Sequence, residues 1–321
     1  MFPSRVTLLA ALAVFIALAP TETLAQAIVE DFASDPTLPR SGAPLWQVRG
    51  PGAAQFQHEP GSSRRFTTDT AGSLAVTYDS LEPTSRYFTT FPSVFTQDDD
   101  FVFGAALTIR WEAYAPDPYG FHPIAFSLFN SVTTGDDRTG DLSDSRADTY
   151  DTLDMGYFPN VSPFFGGPFF SPSLFGEQVN PDAFANFAFG SIELGLRRGV
   201  TYLIEVEHSA ATRTLTARIS IVGSDGFADP LRDRTVVTDL SGITGFAVDA
   251  LAISAYQDGY NVFASSGRSL LATVDYDLIY SGPKVDGRLP DELLRALRRF
   301  QRPGRDNHLR WVDGDLNEPG L

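Results

Sequence analysis

The stretch Thr201–Val222, TYLIEVEHSAATRTLTARISIV, decides the fold. In its first half Tyr202, Ile204 and Val206 alternate with Glu205 and Glu207. In its second half Leu215, Ala217, Ile219 and Ile221 alternate with Thr214, Thr216, Arg218 and Ser220. A period of two puts one set on a buried face and the other toward water, which is the pattern of two antiparallel strands. The connection from His208 to Arg213 has no glycine, so a longer loop is expected rather than a two-residue turn. On the wet face the glutamates are expected to pair with Arg218, at about 0.2–1 kcal/mol per pair. A lone hairpin cannot bury its apolar face, so the rest of the chain has to supply a second layer.

Working outward, strand signals recur at 28–32, 74–78, 86–91, 101–113, 124–128, 148–159, 192–196, 246–256 and 270–280. In the longest of them Phe101, Phe103, Ala105, Leu107, Ile109 and Trp111 share one phase, which places Trp111 in the core. Trp46 is of a type suited to stacking on a ligand. Residues 160–190 are rich in Phe, Pro and Gly without a sustained period. They read as an irregular insertion with its own small core, or as an aromatic platform for a ligand. Residues 290–300 read as a short amphipathic helix, with Pro290 at its start, acids in the first turn and arginines in the last. Its stripe of Leu293, Leu294, Leu297 and Phe300 is expected to cap the sandwich. The expectation is an all-β, two-sheet antiparallel jelly roll over 28–282, with a helical tail over 283–321.

The net charge of −16 argues against nucleic acid or an anionic membrane surface as partner, since both demand basic patches. Residues 1–27 read as a secretory signal peptide. Arg5 supplies its positive end, VTLLAALAVFIAL its apolar run, and Ala25-Gln26-Ala27 a small-x-small cleavage site. Arg5 and Glu22 cancel, so the mature chain keeps the whole charge, and it has no later run apolar enough to span a bilayer. The expected location is therefore extracellular or periplasmic. An exported chain without cysteine must be held by its core or by metal, which favours a bacterial source.

The order of these signals resembles the concanavalin A-like lectin/glucanase superfamily, laminin G-like domains included. A short EDF strand opens the domain, the YLIEVEHSAATRTLTARI hairpin comes late, and ATVDYDLIYSG closes it. The block TTGDDRTG, then DTYDTLDMGYFPN and FGGP, looks like exported bacterial sandwiches. The tail faintly resembles a degenerate, incomplete dockerin, through GDLNEPG after a DELLRAL helix. The resemblance implies a non-catalytic carbohydrate-binding or surface-adhesion module, with a polysaccharide or cell-surface glycan as partner. Superfamily members that cleave β-glucans carry acids at alternate positions of one strand. Here Asp154 is followed by Gly156 and Phe158 where those acids stand.

Ligand contacts are expected at Asp154, Tyr157 and Asn160 of the DMGYFPN stretch and at Tyr119. Calcium is the expected cofactor. Asp136, Asp137, Asp141, Asp144 and Asp148 crowd one Gly-containing loop, and calcium takes six to eight oxygen ligands. The other reading of that loop is a solvated acidic surface. A glycoside hydrolase or lyase stays open if Asp154 faces Glu112 or Glu205, and so does a purely structural envelope protein. The four histidines show no metal-ligand spacing, and no nucleophile elbow or phosphate-binding loop occurs.

Overall fold

A computed structural model describes residues 27–39, 45–50, 55–60, 72–80, 82, 85–114, 123–134, 150–159, 167–178, 186–222, 228–255 and 270–300. They form two eight-stranded antiparallel sheets, with strands numbered in chain order. Sheet one runs β14 (Ala228–Asp239), β13 (Thr214–Val222), β12 (Thr201–Ser209), β6 (Phe101–Tyr114), β16 (Leu270–Pro283), β4 (Ser73–Asp79) and β3 (Phe56–Glu59), with β1 (Ile28–Glu30) also on β16. Sheet two runs β10 (Phe187–Phe189), β9 (Phe169–Phe175), β8 (Thr152–Phe158), β7 (Ile124–Phe129), β15 (Ala247–Ala255), β5 (Ser85–Thr96) and β2 (Gln47–Arg49), with β11 (Ile192–Glu193) also on β9. The expected jelly-roll sandwich is what forms.

The deciding hairpin is β12 and β13, paired residue for residue from Thr201↔Val222 to Ser209↔Thr214. Its loop turns without glycine because Arg213 takes a left-handed backbone, φ 51°. That residue is tied down: the Leu240 amide donates to its carbonyl, and its guanidinium donates to the Ile243 carbonyl at 2.6 Å. Tyr202, Ile204, Val206, Leu215, Ala217 and Ile219 enter the core between the sheets. His208, at 1 % exposure, stacks on Phe101 and its Nδ1 lies 2.7 Å from the Asp99 carbonyl, so it is a structural histidine.

The opposite face of this hairpin is not wet. Glu205 and Glu207 are buried, and α1 (Asp291–Arg298) packs on the same face of sheet one. Leu293, Ala296, Leu297 and Phe300 close over Ala106, Leu203, Leu278 and Tyr280. Arg299 adds a bridge to Asp31 at 2.9 Å, half-exposed and so worth about 0–1 kcal/mol. The helix follows the sequence rules, with Pro290 before it, Asp291 and Glu292 in its first turn and Arg295 and Arg298 in its last. Lys284, the only lysine of the chain, pairs with Glu207, both side chains buried. The helical segment expected as a tail thus belongs to the body of the domain.

Two aromatic expectations need correction. Trp111 is 43 % exposed. Pairing with β16 slips between Ile109↔Val274 and Trp111↔Thr273, so Arg110 has no opposite number and every later side chain of β6 changes face. Arg110 uses the slip to reach two acids, with Nη2 2.7 Å from Glu59 Oε2 and Nε 3.0 Å from Asp275 Oδ2. Trp46 is not open to a ligand: it is 2 % exposed and stacks on Tyr87 at 5.0 Å inside the core.

Residues 169–175 correct a third expectation, because FFSPSLF is a full strand, β9, paired with β8 throughout. Pro172 interrupts the run in the sequence, and proline is disfavoured inside a ladder. It is accommodated where β10 gives way to β11: the Gly190 amide and the Thr238 hydroxyl both donate to the Pro172 carbonyl, at 3.1 and 2.8 Å.

Because α1 buries its leucines against sheet one, Leu297→Ala should cost about 2–4 kcal/mol, measured as the shift in a urea melt. A loss below about 0.5 kcal/mol would show that the helix is a dispensable appendage.

Candidate functional site

Strand β8 sends Leu153, Met155 and Tyr157 into the core, which leaves Thr152, Asp154, Gly156 and Phe158 on the second face of sheet two. Register carries that face across the sheet. Asp154 lies opposite Ser127 of β7 and Ser173 of β9. Beyond Ser127 come Ala252 of β15 and Phe88 of β5, and beyond Ser173 comes Phe189 of β10. A second row, about 7 Å along the strands, runs Arg86, Ser254, Ala125, Gly156 and Ser171. The hydroxyls of Ser127 and Ser254 meet between the rows at 3.2 Å.

Aromatic rings flank these two rows on both sides. On one side Phe158 and Phe169 are cross-strand partners, stacked at 4.7 Å. On the other, Phe175 meets Phe187 at 4.4 Å and Phe88 meets Phe129 edge-on at 5.4 Å. The Arg86 guanidinium carbon stands 5.3 Å from the Phe129 ring centre. Gly156 is bare for a reason: a Cβ there would stand 2.9 Å from the Phe158 ring, which leans back over the floor. The result is a trough with a floor of Ser, Ala and Gly and aromatic walls, in which Asp154 is the central carboxylate. The floor is buried, with Asp154 at 1 % and Ser127 and Ser254 at 0 % exposure, while Phe189 at its end is 62 % exposed.

Chemically, such a carboxylate accepts hydrogen bonds from hydroxyl groups, and the rings offer faces to C–H groups. The nearest positions around Asp154, across and along the strands, are Ser127, Ser173, Thr152 and Gly156, none of them an acid. Glycoside hydrolysis requires two carboxyl groups about 5–9.5 Å apart. The expected alternatives for the second one are on the wrong sheet. Glu112 and Glu205 belong to β6 and β12 of sheet one, so the core, about 10 Å thick, separates them from the trough.

Of the expected ligand residues, Asp154 lines the trough and Tyr157 does not. Tyr157 points into the core at 2 % exposure, packs on Phe170 and accepts the Leu196 amide at 3.1 Å. Adjacent residues of a strand face opposite ways, so Asp154 and Tyr157, three apart, cannot share a face. Asn160, Tyr119 and the five aspartates Asp136, Asp137, Asp141, Asp144 and Asp148 fall outside the described residues. Among the described residues no three Asp, Glu, His or Cys side chains gather as a metal site. Asp151, next to the acidic run, serves the fold instead, since its carboxylate accepts the Thr133 hydroxyl at 2.8 Å and the Ala247 amide at 3.0 Å. The floor residues were missed in the sequence, although their signal is there. Ala125 and Ser127, Ala250, Ala252 and Ser254, and Ser171 and Ser173 occupy the non-core phase of their strands, where long polar side chains would mark a solvent face.

No protein-family model matches the chain, and no curated protein matches it. Solved structures do. The chain is similar to the carbohydrate recognition domain of Emp47p, at 12 % identity and TM-score 0.45, over 83 % of this chain and 100 % of that one. It is similar to the VIP36 exoplasmic/lumenal domain in a Ca2+/Man3GlcNAc-bound form, at 10 % identity and TM-score 0.42, over 83 % and 92 %. Peanut lectin matches at 9 % identity and TM-score 0.40, over 80 % and 98 %. The sandwich itself is established by the sheet order and register described above.

Glu205 has a different chemistry from Asp154. Burial under the α1 side of sheet one lifts its carboxyl to about 8, against the partial counter-effect of Arg218 directly opposite on β13. The ring of Tyr280 lies over Gly104, the residue opposite Glu205 on β6, where any side chain would collide with its hydroxyl. Between the ordinary value of 4.5 and about 8, the unfolded chain gives up this proton while the folded chain keeps it. The folded state therefore binds more protons, and stability falls as pH rises through that window, by on the order of 3–5 kcal/mol for this group. Glu205→Gln should flatten the decline of melting temperature between pH 5 and 8. Equal slopes in both proteins would show that Glu205 ionises freely.

Proposed function

We propose that this chain is an exported, non-catalytic carbohydrate-binding module that holds a polysaccharide or cell-surface glycan in the trough of sheet two. The observation that carries the reading is the trough: Asp154 on a floor of small side chains, between rows of phenylalanine. A sugar presents hydroxyl edges and C–H faces, so its recognition calls for a fixed acceptor, a floor that leaves room, and ring faces at the sides. Carbohydrate recognition is also what the names of Emp47p's domain and the VIP36 complex describe for those proteins. Among the described residues no acid occupies the positions next to Asp154 across or along the strands, which favours binding over hydrolysis. Export is supported by the N-terminal run VTLLAALAVFIAL with its small-x-small site. Calcium, as a stabilising ion, is supported by the five aspartates between 136 and 148.

The test is a polysaccharide panel run with calcium and with EDTA. Saturable binding is expected, weakened more than tenfold by Asp154→Asn, since a hydrogen bond to a charged group contributes about 1.5–3 kcal/mol. A melt of the variant should show an intact fold. Absence of binding under both conditions would sink the reading in favour of a structural envelope protein, and release of sugar would do so in favour of a hydrolase. Calcium at about 1,000 times its dissociation constant should stabilise the fold by about 4 kcal/mol, with EDTA reversing the gain. A melting temperature indifferent to both would remove calcium from the proposal.

A further inference from the structure

A second recess lies away from the trough, at the lateral rim where the two sheets meet. It has a volume of about 320 Å³ and is lined by Leu194, Gly195, Arg197, Tyr202, Ile219, Ile221 and Arg234. That size is at the lower end of the range of small-ligand pockets. Its floor is the core-facing side of the deciding hairpin: Tyr202 of β12 and Ile219 of β13 belong to the main core, and Leu194 and Ile221 pack on its margin.

The rim is opened by a break in pairing. Ile219 faces Arg234 of β14 while Ile221 faces Asp229, so residues 230–233 stand opposite Ser220 alone. Bulges of this kind recur beside functional sites because they re-aim side chains. The break leaves Arg234 opposite a core isoleucine, at a position where the alternation calls for an apolar residue. On the other wall, Arg197 and Arg198 have different roles. Arg198 turns to Glu112 at 3.8 Å, whereas Arg197 makes no ion pair with a described residue and its backbone amide donates to the Tyr202 hydroxyl at 2.9 Å. Arg234 likewise makes only a contact with the Asp233 carbonyl, at 3.1 Å, among the described residues. No carboxylate of a described residue lines the recess, although the chain as a whole carries −16.

Two guanidinium groups over an apolar floor, in a strongly acidic protein, are placed for an anion attached to an apolar or ring-shaped body. Guanidinium forks suit carboxylates. The held phenol of Tyr202 keeps its own proton for an acceptor. We infer that this recess is an anion-selective subsite that takes the carboxylate of a uronate residue, with the sugar's C–H face on Ile219 and Ile221. The sugar part of this inference rests on the proposed glycan-binding function, while the charge selectivity stands on the recess alone. An inward-facing arginine on an edge strand also guards against edge-to-edge pairing of sheets, and the experiment separates the two roles.

The full chain is titrated by calorimetry at low salt with oligogalacturonate and with its uncharged methyl ester, alongside Arg197→Gln and Arg234→Gln. The expected result is saturable uptake of the acid, at least tenfold weaker uptake of the ester, and a tenfold or larger loss in each variant, with Asp154→Asn retaining the preference for acid over ester. Equal binding of acid and ester, absence of acid binding, or two variants that bind as the parent does would overturn the inference. So would an Arg234→Gln protein that self-associates but binds the acid unchanged, since that marks a guard of the sheet edge. Neutral polysaccharide bound in the trough without acid selectivity would refute the subsite and leave the trough standing. Binding of free galacturonate with no polysaccharide bound would refute the trough and leave the subsite standing.

Discussion

Strand β6 pairs with β12 along one side and β16 along the other, and this three-strand ladder sets the phase of everything else in sheet one. Phe101, Phe103, Leu107 and Ile109 are committed to the core by that phase, and Val102, Gly104 and Ala106 to the outside. The outward set is too small and apolar to meet water, so the ladder requires a cover, and α1 supplies it. The phase holds only while the pairing is one-to-one. At Arg110 it fails, the indole of Trp111 turns outward, and the Arg110 guanidinium is fixed by Glu59 and Asp275.

Sheet two has the same construction with a different outcome. Its non-core positions are again small, but the one helix among the described residues lies on the other sheet. The face of Ser, Ala and Gly between phenylalanines is nevertheless closed to solvent, with Ala125, Ser127, Ala252 and Ser254 all at 0 % exposure. Close packing of interiors requires such a face to be covered. The trough and the cover of α1 are thus two answers to one constraint: a sandwich whose sheets are small-residued on both outer sides has to be sealed on each.

The sandwich was legible in the sequence because the alternation at Tyr202–Val206, Leu215–Ile221 and Phe101–Ile109 is long and uninterrupted. The helix was legible because its proline, acids, leucines and arginines fall where helix termini and a helix stripe call for them. Strand β9 was not, because Pro172 breaks the run and its tolerance depends on Gly190 and Thr238, distant in the chain. Edge strand β14 hid behind its charges. Trp111 was misplaced because a slip in register belongs to a pair of strands and leaves no mark in either one alone. Asp154 was legible as a lone acid in a strand, but its cross-strand neighbours Ser127 and Ser173 come from two other strands. Tyr157 was misread because proximity in sequence was taken for a shared face, which strand geometry forbids at a spacing of three.

The pairing of Lys284 with Glu207 has a consequence for the chemistry of the whole surface. Its ammonium group is the only side-chain amine in 321 residues, and its side chain is 6 % exposed. The surface cations of the folded body are therefore guanidinium groups, which acylating and cross-linking reagents leave alone. Were the C-terminal segment to lift from sheet one, Lys284 would become reactive, and acylation at that one side chain, read apart from the α-amine, would report the opening.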